Sequence, residues 1–318
     1  MCTPELLARG LRGRYRSVVR HAPKWTEIPQ YPVISGIGLL ATAVTIAWWS
    51  KVNISPLFAS AMIRRGELWR LVTCILPHGD ILHLAFNLYW FWVFGAVVER
   101  VYGHMRTAAL ILLFAVASSS LEFAFAVGGV GLSGVVYGLF GFLWILSPRD
   151  DRFRDVVDGR TVQLFVGWFF FCIVTTLMKI FPVANIAHGV GAVVGILTAY
   201  AAVMPRRRML AIAGTAAVVC AGIWGATAGR PRINLSGKAG YEEGQWGYDA
   251  LTDGRDREAL RWLRDAVIYQ PNSAIYWYDL GIAHQRLGNK AAAQAAYQKA
   301  HQLEPNDADY SAAVEDRE

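Results

Sequence analysis

Seven apolar segments of roughly 20 residues constrain the fold of this chain more than any other feature. A helix of that length crosses the hydrocarbon core of a bilayer. The chain has 318 residues, and its hydrophobic content of 54% with 12 tryptophans exceeds what soluble proteins usually carry. The sequence therefore predicts an all-α, polytopic membrane protein. The predicted spans are 32–50, 81–99, 106–127, 132–147, 161–181, 184–204 and 209–228.

Basic residues lie in short clusters between these segments and predict the orientation of the chain. If seven spans alternate across the bilayer, the N-terminal arm 1–30, the segment 100–106, the loop 149–160 and the cluster 206–208 all fall on one side. The positive-inside rule makes that side cytoplasmic, so the loop 51–80 is expected in the outer interface. Because topology accounts for the basic residues, binding to nucleic acid is not expected.

Targeting and metal-binding signals are absent from the sequence pattern. The N-terminus has neither a cleavage site nor a transit-peptide signature, so the first span is expected to stay in the mature protein, in a bacterial inner membrane. Cys2, Cys74, Cys172 and Cys220 lack CxxC or His-Cys spacing. No disulfide framework, metal site or cofactor is therefore expected.

A change of composition after Gly229 marks a C-terminal tail, residues 229–318. Residues 1–228 carry 20 Lys and Arg against 10 Asp and Glu, whereas the tail carries 11 against 14. Small residues and proline recur in the tail every 34 residues, at Gly247/Gly281, Gly254/Gly288, Ala259/Ala293, Ala266/Ala300 and Pro271/Pro305. That period is typical of tetratricopeptide repeats. The tail is predicted to hold two repeats, about 240–273 and 274–307, outside the cytoplasm, and to bind a peptide or protein.

Four polar side chains interrupt the predicted spans. Spans two, four and six run from outside to inside, and His83, Ser133 and His188 each fall in the first turns of their span. Asn87 follows His83 by four residues and shares its helix face. Polar groups within a bilayer are costly and mark functional sites. This set predicts a nucleophilic Ser133 with His188 as its base, without a carboxylate, and His83, Asn87 and the Ser133 N–H at an oxyanion.

Glycines on the helix faces of the serine and the histidine predict a close approach of the two helices. A hydrogen bond between the short side chains of serine and histidine needs helix axes closer than leucine-lined helices allow. Tyr137, one turn beyond the serine, is expected to pack against the imidazole. The glycines are Gly134, Gly138 and Gly141 on the fourth span and Gly191 and Gly195 on the sixth.

At these residues the sequence resembles the rhomboid family of intramembrane serine proteases, over roughly residues 60–205. The resemblance implies a six-helix catalytic core, 31–205, to which a seventh span, 206–228, and the tail are additions. It also implies the same nucleophile, base and oxyanion residues as the spacing does. The matching segments are ELWRLVT (67–73), HGDILHLAFN (78–87), GAVVER (95–100), GLSGVVYG (131–138) and AHGVGAVVG (187–195).

The resemblance assigns supporting roles to further residues. Gly131 would shape the turn before the serine, and Tyr137 would stack on the histidine. Trp69 and Arg70 would hold the structure of the outer loop. Glu99 would make a structural polar contact near the cytoplasmic end of the second span.

The substrates implied by the resemblance are single-span membrane proteins, cut within or near a membrane segment that unwinds locally. Three alternatives remain open. An inactive rhomboid-like protein would bind membrane clients, although such proteins usually lack the serine or the histidine. A scaffold would use its repeats and need the spans only as an anchor. A transporter would need charged residues near the midplane, where the spans offer only Glu122 and a few histidines.

Overall fold

The structure, a computed structural model, describes residues 25–236 and 239–315. The predicted basic arm 1–30 therefore lies largely outside the described residues, as does Cys2. Regular structure within the described ranges is helical throughout, as predicted. The chain divides into two compact units. The first comprises the described residues up to Ala124 together with Gly128–Thr227, and the second comprises Phe125–Val127 and the described residues from Ala228 onwards.

The first unit contains the long apolar helices. Short 3-10 turns accompany them at Trp25–Gln30, Ser55–Leu57, Ala61–Arg65, Asp151–Phe153 and Pro205–Arg207. The helices are α1 (Pro32–Trp49), α2 (Arg70–Thr73), α3 (Ile81–Tyr102), α4 (His104–Phe125), α5 (Ser133–Leu146), α6 (Gly159–Leu177), α7 (Asn185–Val203) and α8 (Arg208–Ala226).

Six helical stretches among the described residues, of 18 to 22 residues each, are long and apolar enough to cross a membrane. The fourth predicted segment, 132–147, forms the shorter helix α5 (Ser133–Leu146), which has 14 residues. At 1.5 Å per residue it extends about 21 Å, less than the ~30 Å of a hydrocarbon core. The segment before it is a loop, so the chain turns into α5 at Ser133, and nearly all of α5 is buried among the other helices.

Helices α5 and α7 pack with their backbones in contact. A Cβ on Gly191 would overlap the carbonyl oxygen of Gly134, and one on Gly195 would overlap that of Gly138. A Cβ on Gly141 would likewise overlap the carbonyl of Ala192. The glycines thus meet main chain that has no freedom to move aside. Their spacing allows the close helix approach that the sequence predicted.

The buried carboxylate of Glu99 joins α1 to α3. Its two oxygens accept hydrogen bonds from the backbone N–H groups of Val33 and Ile34, each at 3.0 Å, in the first turn of α1. His104 Nδ1 donates to the same carboxylate at 2.6 Å. A carboxylate at a helix N-terminus satisfies N–H groups that have no partner within the helix and opposes the positive end of its dipole. Glu99 therefore makes a structural contact.

Helix α8 packs against α4 and α7. A Cβ on Gly222 would overlap the Ser120 side chain of α4. Ala226, at the end of α8, lies in a small buried cluster with Ile63, Leu71 and Phe123. The added seventh helix is thus part of the first unit.

The second unit consists of short helices that follow the 34-residue repeat. Gly247 packs against Leu263, and Gly281 against the Tyr297 ring, so small residues let each helix pair close. Gly254 and Gly288 form the turns within the pairs, at φ of 71° and 77°. The helices are α9 (Arg230–Ile233), α10 (Tyr241–Thr252), α11 (Asp256–Tyr269), α12 (Ala274–Arg286), α13 (Lys290–Leu303) and α14 (Ala308–Glu315).

Candidate active site

Ser133 and His188 lie side by side in the first turns of α5 and α7. His188 Nε2 is 2.8 Å from Ser133 Oγ, a hydrogen-bond distance. The histidine is 4% exposed. Its other ring nitrogen, Nδ1, is buried and has no hydrogen-bond partner among the described residues. The pair therefore stands without a carboxylate or carbonyl on the far side of the imidazole.

The ring of Tyr137 takes the place of such a partner. It stacks on the His188 imidazole with ring centroids 4.6 Å apart and an interplanar angle of 19°. Its hydroxyl donates to the Phe165 carbonyl of α6 at 3.0 Å, which fixes the ring. Stacking orients the imidazole, and the face of an aromatic ring attracts an imidazolium. The structure thus brings together the three residues predicted to form the centre of the site.

The turn before Ser133 packs directly under the ring of His83. Gly131 has φ of 101°, a left-handed conformation that favours glycine. A Cβ at this position would lie 2.8 Å from His83 Nε2, so a larger residue would displace the ring. Asn87 is buried, and its Nδ2 donates to the His83 carbonyl at 2.9 Å, which leaves its second N–H to donate elsewhere. His83 and Asn87 therefore share one face of α3.

Sequence reasoning gave no role to His78, which anchors the loop leading into Ser133. His78 Nδ1 lies 2.9 Å from the Leu76 carbonyl, which can only accept, so this nitrogen carries the proton. Nε2 is then free to accept the backbone N–H of Leu132 at 3.2 Å. Burial lowers the pKa of His78 to about 4, which keeps the ring neutral. The only sequence signal was a second histidine at the start of the segment that contains His83 and Asn87.

Glu122 also supports the site, by capping the helix that carries His188. Helix α7 has no side-chain cap of its own. Glu122 Oε2, on α4, accepts the backbone N–H of Ala187 at 2.9 Å. The carboxylate opposes the helix dipole within one turn of the histidine. From the sequence, Glu122 was considered only as a charged residue that a transporter would need. Its contact with Ala187 could not be predicted, because it depends on how α4 packs against α7.

The loop before α3 is held by Arg70, which is 7% exposed. Its guanidinium binds Glu67 at 2.6 Å and donates to the carbonyls of Ser55 and Phe58 at 2.8 and 3.1 Å. Trp69 differs from Arg70, since 54% of it is exposed. The network that organises this loop therefore runs through the arginine rather than the indole.

Metal-binding groups do not accompany the site. Within the described ranges, no cluster of three or more His, Cys, Asp or Glu is placed to hold a metal ion. Cys74 and Cys172 are buried free thiols, and Cys220 is an exposed one.

The comparison with protein families agrees with the position of the site. The sequence profile described as the Rhomboid domain matches residues 65–205, which contain the serine and the histidine. This part of the chain is therefore similar to rhomboid domains. A second profile, that of a tetratricopeptide repeat, matches residues 274–307 in the tail.

The chain is similar to proteins named rhomboid protease GlpG. The one from Enterobacter sp. (strain 638) is 32% identical over 148 residues, 45% of this chain and 51% of that protein. The one from Salmonella newport (strain SL254) is 30% identical over 184 residues, 56% of this chain and 60% of that protein. The chain therefore spans between half and three fifths of the length of these curated relatives.

Proposed function

We propose that this protein is an intramembrane serine endopeptidase that cleaves membrane-spanning proteins through Ser133 and His188. The observation that carries the proposal is the 2.8 Å contact between Ser133 Oγ and His188 Nε2, on two helices packed backbone to backbone. The similarity to proteins named rhomboid protease supports it. A serine needs an adjacent base to become a nucleophile, and this contact supplies one.

The proton transfer follows from the tautomer of His188. For Nε2 to accept the serine proton, the neutral ring must carry its own proton on Nδ1. After the transfer the ring is an imidazolium, stabilised by the stacked face of Tyr137 rather than by a carboxylate. The imidazolium then gives a proton to the leaving amine. In the second step His188 takes a proton from a water that attacks the acyl-enzyme and returns it to the Ser133 oxygen as the acid product leaves.

The oxyanion formed by attack of Ser133 on a peptide carbonyl needs hydrogen-bond donors. The N–H of Ser133 opens helix α5 and has no partner within the helix. Asn87 keeps one amide N–H, and the His83 ring lies against the turn at Gly131. These three groups are the proposed oxyanion donors. Gly131 keeps space for the His83 ring, and His78 fixes the loop that carries the Ser133 backbone.

The proposed substrates are single-span proteins whose membrane helix unwinds near the site. An intact helix hides its carbonyls in hydrogen bonds, so a segment must open before the serine can attack. Because Ser133 and His188 both lie in the first turns of their helices, the proposed site opens towards one side of the bilayer. The proposed orientation puts that side, the loop before α3 and the tail outside the cytoplasm of a bacterial inner membrane.

Cleavage tests the proposed activity directly. The protein is reconstituted in vesicles with single-span reporter proteins, half of which carry Gly and Pro in the outer third of the span and half of which carry only Leu and Ala. We expect cleavage of the first set, with the cut site mapped by mass spectrometry to that third. Ser133→Ala and His188→Ala should abolish it, whereas Ser35→Ala, a serine bonded only to its own helix at the Tyr31 carbonyl, should not. Cleavage that survives Ser133→Ala contradicts the proposal.

The topology has its own test. Alkaline phosphatase is active outside the cytoplasm and inactive within it, so a fusion after residue 318 should be active and a fusion at the N-terminus inactive. Activity at the N-terminus would reverse the proposed orientation and place the tail in the cytoplasm.

A further inference from the structure

In the tail, Asp279 is a buried carboxylate whose charge no contact among the described residues compensates. It lies on α12, the first helix of the second repeat, and only 7% of it is exposed. Its carboxylate forms no hydrogen bond or ion pair with any described residue. Burial of an unpaired carboxylate is costly, and burial raises the pKa of Asp279 to about 6. At neutral pH this largely buried carboxylate is therefore charged and has no partner among the described residues.

The face of α12 that carries Asp279 remains open. Ile275, four residues earlier on this face, is 52% exposed. Arg286, seven residues later on the same face, is occupied elsewhere: it donates to the Leu251 carbonyl at 2.8 Å and pairs with Asp256 at 3.4 Å. This face thus has an exposed end at Ile275, and Asp279 has no cation partner among the described residues.

Three tyrosines of the tail are influenced by the charge of this carboxylate. Tyr278 packs against Tyr310 of α14, with ring centroids 4.9 Å apart. Tyr276 packs against Gly244 of α10. Burial raises the pKa of each of these tyrosines, and the charge of Asp279 raises it further. The three rings therefore lie within electrostatic range of the carboxylate.

Most charges near the rings are carboxylates, and the Glu243 carboxylate near Tyr276 faces Arg230 at 3.9 Å. Glu304 and Asp307 raise the pKa of Tyr310, after burial, and Asp309 and Asp307 do so for Tyr278. The local potential therefore favours a cation. A metal ion would need three or more ligating side chains, and the described residues hold no such group. An organic cation suits the site better, because aromatic faces and one carboxylate bind it together.

We propose that Asp279 and the tyrosines around it form a binding site for a lysine or arginine side chain of a partner protein segment. The ammonium or guanidinium group would pair with the Asp279 carboxylate and lie against the rings of Tyr276 and Tyr278. Repeat pairs of this kind bind extended segments along a concave surface. The proposed site requires one side chain of the bound segment to carry a positive charge. The proposal does not depend on whether the protein is a protease.

Retention of peptide libraries tests the site on the full-length protein. The protein is immobilised in micelles of an uncharged detergent and exposed to three libraries of acetylated nine-residue peptides. The libraries are randomised except at the central position, which is Lys, Gln or Glu. We expect the wild type to retain the Lys library about tenfold more than the Gln library, and the Glu library least, because a charge-assisted pair supports a tenfold difference. Asp279→Asn, which keeps the shape of the side chain, should remove the preference.

Asp253→Asn is the matched control, since it removes the same charge from an exposed ion pair with Arg255 in the same tail. It should keep the preference for lysine. Equal retention of the Lys and Gln libraries by the wild type overturns the proposal, as does equal loss in both variants, which would mean a diffuse charge effect. Reaction of Ser133 with a serine-directed reagent should be unchanged in Asp279→Asn, so the proposed protease activity is judged separately.

Discussion

The first unit, which holds the apolar helices α1–α8 and is called the membrane unit below, differs from the tail in whether its buried carboxylates have hydrogen-bond partners. Glu99 and Glu122 each accept backbone N–H groups at the start of a neighbouring helix, so their charges are satisfied and hold helices in register. Asp279 is buried to a similar degree and has no such donor among the described residues. This difference is the basis of the ligand proposed at Asp279. In the membrane unit the polar pair proposed to carry the chemistry is Ser133 and His188.

The glycines of the two units differ in the same sense. Gly191 meets the main chain of Gly134, which cannot move aside, whereas Gly281 meets the buried side-chain ring of Tyr297. At these positions the membrane unit packs backbone against backbone, and the tail packs backbone against side chain. A side chain can shift at less cost than a helix backbone.

The largest expected effect comes from adding a methyl group at these glycines. Gly191→Ala forces the backbones of α5 and α7 apart and should cost about 3 kcal/mol or more, with loss of reactivity at Ser133. Gly281→Ala, the matched change in the tail, should cost about 1–2 kcal/mol and leave the serine reactive. Apparent melting temperature in detergent and labelling at Ser133 measure both. Equal losses from the two changes would contradict the distinction.

The next effect is the loss of a helix-joining carboxylate. Glu99→Gln retains one acceptor oxygen for the two N–H groups of α1 and should destabilise the protein by about 2–3 kcal/mol. Glu27→Gln, which disturbs a partly exposed pair with Arg100, should cost less than about 1 kcal/mol. Melting temperatures of the two variants test this. A similar small shift for both would mean that Glu99 does not join α1 to α3.

A smaller and more specific effect is expected at Glu122. Glu122→Ala leaves the Ala187 N–H without its acceptor and should destabilise by about 1–2 kcal/mol while slowing the reaction of Ser133. Glu122→Gln retains an acceptor oxygen and should restore most of the rate. The rate of labelling at saturating reagent is the readout, with melting temperature as the control. Slow labelling in both variants would instead indicate a requirement for the charge itself.

The smallest effect is a stabilisation. The pKa of Asp279 lies near 6 in the folded tail and near 3.8 otherwise, so the folded state binds a proton between these values. The stability of the tail should therefore fall as pH rises from about 4 through 6, and Asp279→Asn should remove this fall. At pH 7 the variant should melt a few degrees higher than wild type. A lower melting temperature would mean that the carboxylate has a structural partner.

Much of this fold could be predicted from the sequence, because apolar length and a 34-residue period are local signals. The pairing of Ser133 with His188 followed from their depth and from the glycines beside them. The fourth segment, predicted at 132–147, closely matches the helix Ser133–Leu146, because its apolar run ends where the helix ends. The sequence did not predict the roles of His78, Glu122 and Asp279. These roles depend on the three-dimensional contacts of each side chain: His78 and Glu122 accept backbone N–H groups from distant segments, and Asp279 accepts none among the described residues.

The central claim is that α5 and α7 activate a single serine. The most direct test is labelling of the purified protein with a fluorescent fluorophosphonate, which reacts with activated serines, in wild type, Ser133→Ala, His188→Ala and Ser35→Ala. The proposed pair predicts labelling of the wild type and of Ser35→Ala, at Ser133 by peptide mapping, and none in the other two. Absence of label in folded wild-type protein, or label that persists in His188→Ala, would contradict it and favour a protein that binds membrane clients without cutting them.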